Sequence, residues 1–321
     1  MAKQRLIEID KLTGLCITLV VFGHLLLPQF EHLYYYALIR NVIYKFHMPL
    51  FMFLSGFLIA LSLKGKAQEL DYTKYIKSKI TKFLPPYILF STVFILVEFL
   101  VKHKTMNDLQ SDFLKAYILP AKSSAGFLWY IYVLFMFYLI MPFVLKVVKD
   151  NIIILIILGI VFQIINPYVT EVFCLRLFTY YFLFVSLGIF TFQYFEKFQV
   201  LIDKAGWIFL LIFIILVFVD MKYYLLSKLI LGLFSIPTFY FLARKFNDYL
   251  PKTLATLGVN SFYIYLMNTL FIGGLSLIMT ILKIPFNYFS LLILFVIGLY
   301  LPVLIKKYII DKVSFLKLLI P

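Results

Sequence analysis

Apolar runs of about the length that crosses a bilayer recur from one end of the sequence to the other, and no other feature limits the fold so strongly. Ten such stretches stand out, at 12–27, 41–63, 83–101, 127–148, 152–168, 172–195, 206–220, 223–243, 257–281 and 286–310, the fifth and seventh being short. The chain is 64% hydrophobic and 20% aromatic, with a mean hydropathy of +1.00. A soluble domain has too little polar surface to cover so much apolar area. The expected class is therefore all-α, a multi-span transmembrane bundle of about ten helices. The polar connections are short, the longest running from Lys102 to Gly126. The expected organisation is one integral-membrane domain over 1–321 with no appended soluble domain.

The net charge is +15, from 30 Lys and Arg against 15 Asp and Glu. In a membrane bundle this excess reads as loop anchoring against anionic lipid, and nucleic acid is not an expected partner. Lys and Arg on alternate connections divide about two to one. The richer side holds Lys3, Arg5, Lys11, the lysines of the 64–82 loop, Lys149, Arg244, Lys245 and Lys312; the poorer side holds Arg40, Lys115, Lys122, Arg176, Lys222 and Lys228. That bias predicts both termini in the cytoplasm and an even number of spans. Cys16 and Cys174 lie inside apolar runs and read as packing residues, with no disulfide framework and no metal spacing. The start "MAKQRLIEIDKLTG" has no small-residue cleavage site and reads as a retained first span.

Polar residues at membrane depth narrow the search for a site. His24 closes "CITLVVFGH" near the outer end of the first span, and His47 lies in the first half of the next, antiparallel span. At about 1.5 Å per residue the two fall at similar depth. An imidazole there either bonds a neighbouring helix or acts as a general base or acyl carrier toward a hydroxyl. Ser55-Gly56 reads as a close packing contact, since "FLSGF" is not a nucleophile elbow. In "LGVNSFYIYLMN", Asn260 is placed as an interfacial cap and Asn268 lies deep enough to require a partner. The stretch "DYTKYIKSKITKFLPPY" carries Tyr75, Ile76, Ile80, Phe83 and Leu84 on one helical face with lysines around it. It predicts an interfacial helix stopped by Pro85-Pro86, serving either as a lipid anchor or as an anion site for a phosphorylated cofactor.

Taken in order, several of these stretches resemble the acyltransferase 3 family of membrane O-acyltransferases along essentially the whole chain. They are "IDKLTGLCITLVVFGH", "FHMPLFMFLSGFLI" in the form of fucose 4-O-acetylase-like members, "YIKSKITKFLPPY", "FLWYIYVLFMFYLIMPFVL" and "LGVNSFYIYLMN". The resemblance implies a multi-pass protein of the cell membrane, in bacteria the cytoplasmic membrane. It also implies transfer of an acyl group, most often acetyl from cytoplasmic acetyl-CoA, to a hydroxyl of an extracytoplasmic or lipid-linked glycan. It makes His24 the expected catalytic residue, to which the depth argument adds His47 as its catalytic partner, and it places the phosphates of CoA at Lys79 and Lys82. Asp10 and Asn268 are supporting positions, no metal is implied, and acetyl-CoA is a donor rather than a resident cofactor. The chain departs from the family pattern at Thr13, usually basic, and at Asn268, often His. A carrier for a lipid-linked sugar, or a family member retaining only a binding role, are the other readings.

Overall fold

The computed structural model describes residues 7–25, 27–63, 69–148, 151–219 and 224–320. Lys3, Arg5, Lys64, Lys66, Lys149 and Lys222, which enter the loop-charge bias, lie outside them. The described residues form thirteen α-helices and no strand. In chain order these are α1 (Ile7–His24), α2 (Tyr34–Leu63), α3 (Tyr72–Val101), α4 (Met106–Ile118), α5 (Trp129–Val148), α6 (Ile153–Ile165) and α7 (Leu175–Gln193). There follow α8 (Phe195–Phe218), α9 (Tyr224–Lys245), α10 (Lys252–Val259), α11 (Ser261–Ile281), α12 (Tyr288–Tyr308) and α13 (Ser314–Leu319).

Eight of the ten expected spans are long and apolar enough to cross a membrane, namely α2, α3, α5, α7, α8, α9, α11 and α12. The seventh expected span, short in sequence, is the 24-residue α8. The fifth is short in fact, since α6 has 13 residues before a single tight turn. The first has a charged start, with Glu8, Asp10 and Lys11 in an 18-residue helix. Two boundaries differ from expectation. Helix α3 does not stop at Pro85-Pro86 but runs through both. Two missing N–H groups leave only the carbonyls of Thr81 and Lys82 without helical partners, and both residues are exposed, so the helix continues. The expected ninth span breaks at Asn260, whose Nδ2 donates to Thr256 O at 2.7 Å, giving α10 and α11.

The chain divides into two compact units. The first takes α1, α2 as far as Leu54, and α8 to α12. Its tightest seam is α1 against α10. A Cβ on Gly14 would collide with the Leu254 backbone, and one on Gly258 would collide with Asp10 O. Glycine is required there because two backbones touch. Lys11, 4% exposed, donates to Asn247 O beside this seam. Nearby, Arg244 bonds both oxygens of Asp203 at 2.8 and 3.0 Å, and the Tyr240 hydroxyl donates to Glu8 at 3.1 Å. Phe46 packs between Phe213 and Phe239 in the apolar interior.

The second unit takes α2 from Ser55, α3 to α7, and α13. Gly56 lies directly on the Val185 backbone, and Ser55 Oγ bonds Tyr130 OH at 2.9 Å, so this pair is a helix contact. The Lys102 to Gly126 connection is itself folded. Thr105 and Asp108 form a capping box that starts α4. Asp112 then accepts from Lys104 Nζ at 2.7 Å and Ser124 Oγ at 2.5 Å.

Burial pushes the Asp112 carboxyl upward, but the bonds from Lys104 and Ser124 outweigh it and hold it below the usual carboxylate range. A depressed carboxyl contributes stability above its unfolded value of about 3.9, lost as pH falls through the folded value. The protection factors of amides over 102–126, taken against intrinsic exchange at each pH, are therefore expected to fall below about pH 4, and Asp112→Asn to cost about 1–2 kcal/mol of local stability at neutral pH. Gly258→Ala is expected to lower the thermal midpoint in detergent by displacing α10 from α1, at a cost of about 1–3 kcal/mol.

Candidate active site

The last turn of α1 is held against α11 and α12 by a close three-way contact. Gly298 of α12 lies so near Val21 and Ile272 that a Cβ there would meet both side chains at 3.0 and 2.9 Å. One turn beyond Val21, His24 meets Asn268 of α11, with Nδ1 and Oδ1 2.7 Å apart. Asn268 is fully buried and His24 half-buried.

The direction of this bond follows from its surroundings. Asn268 Nδ2 is 2.7 Å from Ile264 O and 2.9 Å from Tyr265 O. Carbonyl oxygens only accept, so the amide nitrogen faces them and Oδ1 faces the imidazole. Oδ1 cannot donate, so His24 Nδ1 carries the proton and the lone pair of the neutral ring lies on Nε2. Thr269 adds its hydroxyl, 3.2 Å from Asn268 Oδ1 and 3.3 Å from His24 Nδ1. Tyr265 tilts its ring toward the imidazole at 6.0 Å. A base ring, oriented by a second group that is itself oriented by backbone, is the arrangement that proton abstraction requires.

His47 comes to the same region. Tyr44, one turn earlier on α2, donates to Gly23 O at 3.0 Å and packs edge-on against the His47 ring at 5.1 Å. The two histidines thus lie on neighbouring helices with Tyr44 between their turns. His47 is 6% exposed. Its Nδ1 donates to Ile43 O at 2.7 Å, which again leaves the lone pair of the neutral ring on Nε2.

The other expected residues are elsewhere. Asp10 is in the first turn of α1, 14 residues and roughly 21 Å along the helix from His24, with its carbonyl under Gly258. Lys79 and Lys82 are on α3, in the second unit. Lys79 Nζ sits over the rings of Tyr75 and Tyr138 at 4.8 and 4.4 Å, and Lys82 Nζ over Phe83 at 5.6 Å. Thr13 is buried and turns its hydroxyl back onto Ile9 O at 2.7 Å. Sequence reading missed Thr269 and Tyr44. Thr269 follows Asn268 directly and could have been weighed with it, while nothing in the sequence marks Tyr44 among so many aromatics.

The described residues contain no group of three or more His, Cys, Asp or Glu that could hold a metal ion. No curated protein and no solved structure matches the chain. A family model for an acyltransferase domain, that of the acyltransferase 3 family, matches residues 6–307. The match takes in every residue of the imidazole site, and the chain belongs to that family of multi-pass membrane acyltransferases.

Proposed function

We propose that this acyltransferase passes an acyl group, acetyl first among the candidates, from acyl-CoA to a hydroxyl of an extracytoplasmic or lipid-linked glycan, with His24 as general base. The observation that carries the reading is the bond from His24 Nδ1 to a buried amide oxygen that can only accept. It leaves Nε2 as the basic nitrogen. In the transfer, the acceptor hydroxyl gives its proton to Nε2 as its oxygen attacks the thioester carbonyl. The C–S bond then breaks, and the imidazolium returns the proton to the departing thiolate. Asn268 Oδ1 stabilises the positive ring through the Nδ1 hydrogen throughout. His47, across Tyr44, orients the acceptor.

The loop-charge bias supports both termini in the cytoplasm, and the family supports a bacterial cytoplasmic membrane as the site. Phosphate contacts for the donor at Lys79 and Lys82 rest on the resemblance alone.

With labelled acetyl-CoA and total envelope glycan as acceptor, the purified protein is expected to transfer label. His24→Ala should lower the rate by about 10²–10⁴-fold, at unchanged expression and monodispersity. Asn268→Ala should lower kcat by roughly tenfold or more, with a smaller change in KM. Wild-type rates in His24→Ala would overturn the assignment. Movement of a lipid-linked sugar across vesicles without acetyl transfer would favour the carrier.

A further inference from the structure

The second unit holds a cavity of about 350 Å³ that the proposed chemistry does not use. Its walls are the faces of α3 and α5, with Phe83, Tyr87, Tyr132, Phe135 and Leu139 along them and Phe173 at one end. The α5 residues Ile131, Phe135 and Leu139 repeat at i, i+4 and i+8, so the cavity is a groove running along the helix for roughly 12 Å. Both helices belong to the spans with much of their surface facing outward. The groove therefore lies parallel to the direction in which lipid chains run.

Its lining is aromatic and aliphatic. Tyr87 donates its hydroxyl to Ala116 O at 2.5 Å and Tyr132 to Tyr117 O at 3.2 Å. A guest with amide groups, such as the pantetheine arm of a CoA ester, would lose its hydrogen bonds there. A hydrocarbon chain would not. Phe173, which also lines the groove, has a φ of 53°, followed by 57° at Cys174. Two successive left-handed residues that are not glycine are costly and persist only when their surroundings hold them. They carry the Phe173 ring onto the groove while Cys174 is buried.

The near end is cationic. Phe83, a wall of the groove, lies under Lys82 Nζ at 5.6 Å and against Tyr138 at 5.2 Å, and Tyr138 carries Lys79 Nζ at 4.4 Å. The Lys82 charge thus lies over a wall of the apolar groove, and Lys79 lies one ring further out, over Tyr138. In a CoA ester the phosphates are separated from the acyl chain by the whole pantetheine arm. In a phospholipid the phosphate adjoins the chains. We infer that Lys79, Lys82 and the α3–α5 groove form a binding site for an anionic phospholipid of the surrounding bilayer, with its phosphate at the lysines and one acyl chain along α5 to Phe173.

The site stands or falls independently of His24. The test is native mass spectrometry of the full chain released from nanodiscs of equal phosphatidylglycerol and phosphatidylcholine. One tightly retained phosphatidylglycerol is expected, favoured over phosphatidylcholine by on the order of thirty-fold for two surface lysines. Lys79→Gln with Lys82→Gln should abolish the preference while leaving neutral lipid retained. Met136→Trp, which fills the groove from α5, should reduce retention of both lipids. Equal retention of the two lipids by the wild type, or retention unaffected by Met136→Trp, would overturn the site. So would loss of acetyl-CoA binding in the lysine variant with its lipid preference intact, which would return these lysines to the donor.

Discussion

A side-chain amide deep in an apolar bundle has no water to bond, and its four hydrogen-bonding positions have to be met by protein. Asn268 is fully buried, and it spends both N–H groups on the carbonyls of its own preceding turn. Only its oxygen remains, and that oxygen is met by His24. The protonation pattern of the imidazole follows from this one constraint. So does the need to hold α1 and α11 in fixed register, which the close approach at Gly298 secures one turn below.

The same economy explains why the polar residues of the first unit form small closed groups. At one end of α1, Lys11, Glu8, Tyr240, Arg244 and Asp203 bond one another or nearby carbonyls. At the other end, His24, Asn268 and Thr269 do so. Between them α1 is apolar or glycine-lined apart from Thr13 and Thr18, whose hydroxyls bond carbonyls of their own helix, and Gly14 and Gly258 bring the backbones of α1 and α10 together. A helix held at both ends and tightly packed between them positions an imidazole with little freedom, which a general base needs.

Much of this was legible in the sequence. Eight of the ten expected spans followed from apolar run length, because the bilayer sets that length. That α1 and α2 would meet beside His24 and His47 followed from the rise of two antiparallel helices. Asn268 was marked by its cost at membrane depth. What was not legible depends on facts that residue order does not carry. Pro85-Pro86 read as a stop, because a soluble helix stops there, whereas α3 loses only two exposed carbonyl bonds and continues. The distance from Asp10 to His24 was legible, but not that Gly258 would cover the Asp10 carbonyl. Thr269 and Tyr44 are ordinary residues until the helices are packed. The sequence left Lys79 and Lys82 open between lipid and cofactor, and the groove beside Phe83, on which the lipid proposal rests, appears only once α3 and α5 are packed.

The account turns on which ring nitrogen of His24 carries the proton. Nitrogen NMR of ¹⁵N-histidine-labelled protein in nanodiscs, with His24 assigned by comparison with His24→Gln, reads this directly. A neutral His24 with a protonated Nδ1 and a bare Nε2, changing toward the opposite tautomer in Asn268→Ala, is the predicted result. A wild-type His24 protonated at Nε2, or one whose tautomer ignores Asn268, would contradict the account.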